Sequence, residues 1–273
     1  WFMVGMMCGD EIWLQQNEQA HWHPAFGRAQ GMQNKGRPYF NEWGGDLKGG
    51  DGRFNYLRIW QAIRHCNIFL ETIQEENVAP DLNSFERQRW IGEVEFLKAY
   101  YHFYMLRMYG PIPIVDVNAS ESSEPEDLYY KRMPVDDVVN FISNLLDQAI
   151  EKLPERITDE NTELGRITKP IALAIKSRVW QLAASPLFNG NTDYIDLVDK
   201  DGISLVSTTY DATKWEKARD AAKAAIDIAE ANSVKLYTYT NDRYNLSTQT
   251  KTQLNIRNAV TERWGDEVVW GLS

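Results

Sequence analysis

The sequence has only two cysteines, Cys8 and Cys66, in 273 residues. It therefore has no disulfide framework that could stand in for a hydrophobic core. Both lie in apolar, helix-like contexts and read as buried free thiols; sequence alone does not decide whether they pair. No apolar run is long enough to span a bilayer, and no signal peptide opens the chain. Positive charge is scarce: 29 Lys and Arg against 39 Asp and Glu leave a net charge of −10. That balance argues against a nucleic-acid partner, which needs a basic face, and against attraction to anionic lipid. Catalytic signatures are missing as well. No Gly-rich phosphate loop follows a strand, there is no nucleophile elbow, and no carboxylate pair is marked out for glycoside hydrolysis. Metal-binding patterns fall short. His21 and His23 flank Trp22, but two ligands do not make a site. Asp193, Asp196, Asp199 and Asp201 before Gly202 miss the spacing and the closing Glu of a calcium loop, and read as a solvated turn. His65 and His102 fall on predicted helices as packed residues. These residues point to no enzyme, no metal and no cofactor.

Aromatic residues, by contrast, are plentiful at 12%, with ten Trp. That exceeds what most helical cores need, so some are expected at a surface. The chain is organised around Gly92 to Asp116, GEVEFLKAYYHFYMLRMYGPIPIVD. Val94, Leu97, Tyr101, Met105 and Met108 form one stripe at helical spacing, with Phe96, Tyr100 and Phe103 beside it. A helix apolar over so much of its surface is expected at the centre of a helical stack. Gly110 and Pro111 end it, and Ile112, Ile114 and Val115 are expected to pack back on it.

Further helices are predicted from about Phe54 to Glu76, Pro134 to Leu153, Thr168 to Ala184 and Thr213 to Asn232. Asn67 stands on the apolar face of the first and is expected to bond a neighbouring backbone. In the third, Ile171, Ala174, Ile175, Arg178, Val179 and Leu182 face or flank the core. Thr213 and Glu216 form a possible capping box. Thr261 to Trp270 reads as a turn and a short strand. The fold class is thus all-α, a tetratricopeptide-like scaffold of helical pairs with long irregular loops and minor short strands. Residues 15–52 carry many glycines and rings but little periodicity. A loop this long is usually functional or disordered, and its aromatics argue for order. Sugars present a C–H face and a hydroxyl rim, so a site needs flat rings and polar side chains. Trp22, Arg37, Tyr39, Asn41, Trp43 and Asp46 supply that mixture.

The ordered phrases Gly92-Glu93, Phe96-Leu97-Lys98-Ala99-Tyr100, Tyr109-Gly110-Pro111, Gly165-Arg166-Ile167-Thr168-Lys169 and SPLFNGN resemble the SusD/RagB family. Lys98 stands where the family usually has Arg. The resemblance covers roughly Asp10 to Trp270 and implies a single SusD/RagB-like domain over 1–273, with helices over 54–232 and both ends truncated. It implies a cell-surface lipoprotein of the outer membrane whose lipidated Cys lies outside this sequence. Such a protein binds a polysaccharide or oligosaccharide and delivers it to a SusC-like TonB-dependent transporter. Peptide uptake, as in RagB-like members, and a plain interaction scaffold remain alternatives. By position within the family, Trp43 and Trp22 are the expected stacking rings, with Tyr39, Arg37 and Asn41 beside them. Trp264 is a second candidate among Tyr237, Tyr239 and Tyr244.

Overall fold

The computed structural model describes residues 43, 59–75, 77–120, 122–240 and 245–271. The chain divides into two compact units, Trp1–Ala62 and Ile63–Ser273. Six α-helices lie among the described residues: α1 (Ile59–Thr72), α2 (Ser84–Tyr109), α3 (Val135–Lys152), α4 (Lys169–Ala184), α5 (Thr213–Ala231) and α6 (Thr248–Thr261). The fold class is mainly helical, as the periodicity predicts. Among the described residues no helix is long and apolar enough to cross a membrane.

Within the second unit α2, α3, α4 and α5 pack each on the next. The run is antiparallel: Lys152 at the end of α3 bonds Glu95 near the start of α2 at 2.9 Å. Likewise the Lys169 N–H that opens α4 donates to the Pro154 carbonyl just past the end of α3 at 2.9 Å, and Trp180 late in α4 donates to Ser143 at the middle of α3 at 3.2 Å. α2 is central. Its buried residues include Ile91, Phe96, Ala99, Phe103, Met105 and Leu106 together with Arg89, Glu95, Lys98 and His102. The expected stripe is thus shifted: Val94, Leu97, Tyr101 and Met108 are only half-buried, and the deeper face runs through Phe96, Ala99 and Leu106. Gly92 explains how α3 approaches so closely, since a Cβ there would stand 3.0 Å from Lys152 Cβ and 3.2 Å from the Ala149 carbonyl.

Asn83 caps α2, its side chain accepting the Glu86 N–H, and Gly110 closes it with φ +70°. The segment after Gly110 folds back onto the helix, as its apolar residues predict, and Ile112 is fully buried. Polar groups hold it. Asn67 Nδ2 donates to the Val115 carbonyl at 3.4 Å, which is the backbone bond expected of it. Lys98 Nζ donates to the Asp116 carbonyl and carboxylate at 2.6 and 2.8 Å.

Several expectations are corrected. α1 ends at Thr72, short of Glu76. His65 is exposed rather than packed, whereas His102 is fully buried. Arg178 points to solvent, because α4 turns Val179, Trp180 and Ala183 inward instead. The start of α5 is capped from outside the helix: Asp211 accepts both the Thr213 N–H and hydroxyl, at 2.9 and 2.7 Å, in place of a Thr213–Glu216 box. Residues 262–271 form turns with no strand, and the described residues hold only an isolated bridge between Val198 and Ser204. α6 was not predicted.

Candidate ligand-binding site

Of the residues expected to contact ligand, Trp22, Arg37, Tyr39 and Asn41 lie outside the described residues. Trp43 is half-buried. Its ring meets Trp60 of α1 edge to face, centroids 5.3 Å apart and planes at 83°. Aromatic pairs prefer this arrangement, because the positive edge of one ring faces the negative face of the other. α1 supplies the stiff partner, and the pairing holds Trp43 in place without covering it completely. Such a ring has little freedom left to lose when something stacks on it.

Trp264 serves its own segment. It has φ +55°, and its six-membered ring lies over Gly271, where a Cβ would come within 3.4 Å of it. The surrounding rings are tied down. The Tyr237 hydroxyl donates to Glu262 Oε1 at 2.9 Å and its N–H to Glu267 Oε1 at 2.8 Å. The Tyr239 N–H donates to Asn255 Oδ1 at 2.7 Å. Tyr244 lies outside the described residues. Trp270, which no sequence pattern singles out, anchors this region: it meets Phe96 and Tyr100 edge to face, each at 5.6 Å, and donates to the Gly165 carbonyl at 3.2 Å.

The Gly165 turn is the joint that the GR-x-TK phrase encodes. Gly165 has φ +96°. Next to it, Arg166 grips Glu93 of α2 through Nε and Nη2 at 2.9 and 3.1 Å, and Glu163 through Nη1 at 2.6 Å. Arg89, buried in α2, reaches the same Glu163 at 3.0 Å. Burial pushes the Glu163 carboxyl up, but hydrogen bonds and charge from Arg89 and Arg166 outweigh it and hold the group below its ordinary value.

Near the other end of α2, His102 Nδ1 stands 2.7 Å from the Lys98 carbonyl, and its Nε2 accepts the Val115 N–H at 3.3 Å. That pattern requires the neutral ring with its proton on Nδ1. Desolvation drives its pKa down to about 4. Cys66, buried on α1, has its thiol pushed up to about 11, chiefly by burial.

The loops after α2 and α4 also present rings that the sequence reading passed over. Tyr129 is 79% exposed, Tyr130 46% and Tyr210 61%. The only sequence signal was an adjacent Tyr pair closing a polar loop, without the periodicity that marks core residues.

These observations can be set beside known proteins. A family model described as starch-binding, associating with the outer membrane, of SusD-like type, matches residues 39–180. That span includes Tyr39, Asn41, Trp43, all of α1 to α3 and most of α4. A SusD-like protein of Bacteroides ovatus is 28% identical over 169 residues, which are 58% of this chain and 29% of that protein. The solved structure of BT4246 superposes with a TM-score of 0.69 at 29% identity, covering 93% of this chain and 44% of that one. The selenomethionine form of BT4246 gives 0.62 at 32% identity, covering 79% and 39%. The chain therefore spans less than half the length of these relatives. With the family model matched over half of its residues and the helical stack shared with BT4246, the chain belongs to the SusD-like family of starch-binding, outer-membrane-associating proteins.

Proposed function

We propose that this chain is part of a protein that captures a complex glycan at the bacterial cell surface. It passes the glycan to a SusC-like TonB-dependent transporter of the outer membrane, and a lipid anchor holds it there. Its work is binding, with no bond made or broken. The observation that carries this reading is the family match, which opens at Tyr39 and takes in Trp43. The chemistry of that stretch agrees. Trp43 is half-buried and braced by Trp60, and Arg37, Tyr39 and Asn41 follow one another closely before it. A braced ring offers a flat apolar face, and the neighbouring polar side chains are of the types that bond hydroxyls.

Calorimetric titration with a panel of soluble polysaccharides, of wild type and of Trp43→Ala, tests the proposal. One glycan should bind, and the variant should bind it at least about tenfold more weakly, as removal of an aromatic anchor does. Its thermal unfolding curve should keep its shape. Binding to peptides alone, or to nothing in the panel, would overturn the glycan reading.

A further inference from the structure

α3 and α5 pack on either side of α4 and are joined at one end by buried Lys214 of α5, whose Nζ bonds Asp136 of α3 at 2.6 Å. Between them runs a groove of about 460 Å³, in the size range of small-molecule sites. α4 forms its floor with Trp180 and Lys176. Asn140 and Asn144, one turn apart, stand on the α3 wall, and Lys217 and Asp220 on the α5 wall. Trp180 is 6% exposed. Its ring is fixed by the bond to Ser143, and Lys217 Nζ stands 4.3 Å from the ring centroid.

The charges in the groove do not cancel. Lys176 is paired with Asp147 at 2.5 Å, and Asp220 with Arg219 at 2.7 Å. Among the described residues Lys217 has no carboxylate within ion-pair distance; its ammonium lies over the indole, in the field of Asp211. Asn140 and Asn144 are exposed, and their amides bond no other described residue. A surplus cation beside two amide donors is a receptor for an anion, in a chain whose net charge of −10 would repel one elsewhere. The walls are low and apolar where Leu173 and Ala221 line them, which suits the C–H face of a ring.

We infer that this groove is a second binding site, taking the carboxylate of an acidic sugar: the carboxylate bonds Lys217 and the Asn140 and Asn144 amides, and the sugar ring lies against Leu173 and Ala221, beside the Lys217 stem that covers Trp180. The choice of a sugar over an acidic peptide rests on the glycan reading above. The groove itself stands on geometry and charge.

The probe is trigalacturonate, with its methyl ester as the uncharged form of the same three rings. Two-dimensional NMR of the Trp side chains, with the Trp180 indole N–H assigned from Trp180→Phe, follows the groove directly. Trigalacturonate should shift that signal, the ester should bind about tenfold more weakly, and Lys217→Met should erase the difference. That variant keeps the aliphatic stem and should melt like wild type. Trp43→Ala should leave the titration unchanged. Equal binding of acid and ester, an unshifted Trp180 signal, or full acid binding by Lys217→Met would each overturn the inference. So would a Trp180 shift produced by an oligoglutamate peptide and not by trigalacturonate. Neutral glycan binding with a silent groove would sink this inference alone and leave capture standing; a responsive groove with no neutral glycan bound would do the reverse.

Discussion

At one end of the helical stack the joints are arginine–glutamate networks; at the other, backbone and amide hydrogen bonds work beside lysine–aspartate pairs. The first end gathers the start of α2, the end of α3 and the start of α4. There Arg89 and Arg166 share Glu163, and Arg166 also holds Glu93. The second end gathers the loops after α2 and α4. The Met133 N–H donates to Ile112 O and the Val135 N–H to Leu205 O, both at 2.9 Å. Asn189 donates to Asp211 O at 2.9 Å and accepts the Asp211 N–H at 2.8 Å. Gly190, at φ +79°, lets the chain pass so close to Tyr210 that a Cβ would sit 3.0 Å from its nitrogen. At the ion-paired end the side chains are committed to the joint. At the other the backbone shares the joint with the Lys214–Asp136 and Lys131–Asp201 pairs, and side chains such as Tyr129, Ile203 and Tyr210 are left exposed.

The largest test of this contrast is Arg89→Ala. Arg89 is 4% exposed, but Glu163 is 21% exposed and keeps Arg166, so the expected cost is about 3 kcal/mol, the lower edge of the range for breaking a buried ion pair. Denaturant unfolding should show that loss; a cost below about 1 kcal/mol would mean that the ion pairs decorate the joint and do not lock it.

Acid should separate the two ends next. The folded pKa of His102, about 4, lies below its ordinary 6.5. The unfolded chain therefore binds the extra proton first. The stability that neutral His102 contributes is complete above about pH 6.5 and is lost as pH falls towards 4, by roughly 3 kcal/mol in all. Glu95, raised chiefly by burial, works the other way at the acid edge of this window. Glu163 is depressed, so its contribution persists until the pH falls through its ordinary range. Hydrogen exchange should thus show the amides of 112–116 losing protection at a higher pH than those of 163–168. His102→Gln should flatten the slope. Simultaneous loss at both ends would break the comparison.

Smaller effects follow at the backbone-bonded end. Asn189→Ala strands the Asp211 N–H and carbonyl, and should cost about 2 kcal/mol in thermal or denaturant unfolding. Tyr129→Ala should change stability by no more than about 0.5 kcal/mol, as befits an exposed side chain outside any joint.

The sequence made the helices legible wherever apolar periodicity was strong. α3 to α5 lie within a few residues of their predicted bounds, and α2 ends where Gly110 and Pro111 place it, because apolar residues such as Val138, Ile142, Leu145 and Ala149 recur at helical spacing. α6 escaped because TQTKTQLNIRNAVT is rich in Thr, Asn and Gln and buries no residue. Its one local sign was Ser247, whose side chain accepts the Thr250 N–H. Asn67 was legible as a polar break in an apolar face. The joints between helices were not, since Arg89 and Glu163 lie 74 positions apart and only the fold brings them together. For the candidate site, the ring-rich composition of residues 15–52 and position within the family resemblance pointed to Trp43, but neither could supply its brace, Trp60. Trp264 rests on the same resemblance, which places further contacts in later loops; its ring lies against Gly271. Trp180 went unnoticed because a Trp on a buried helix reads as core. Its position at the floor of a groove depends on three helices at once.

Cys66 gives the molecule a clock. With its thiol pushed up to about 11 and its side chain buried on α1, it has almost no thiolate to offer an alkylating reagent at neutral pH. Each reaction must then wait for α1 to lift away. In a Cys8→Ser background the pace of labelling becomes a count of those excursions, with no probe added to the protein.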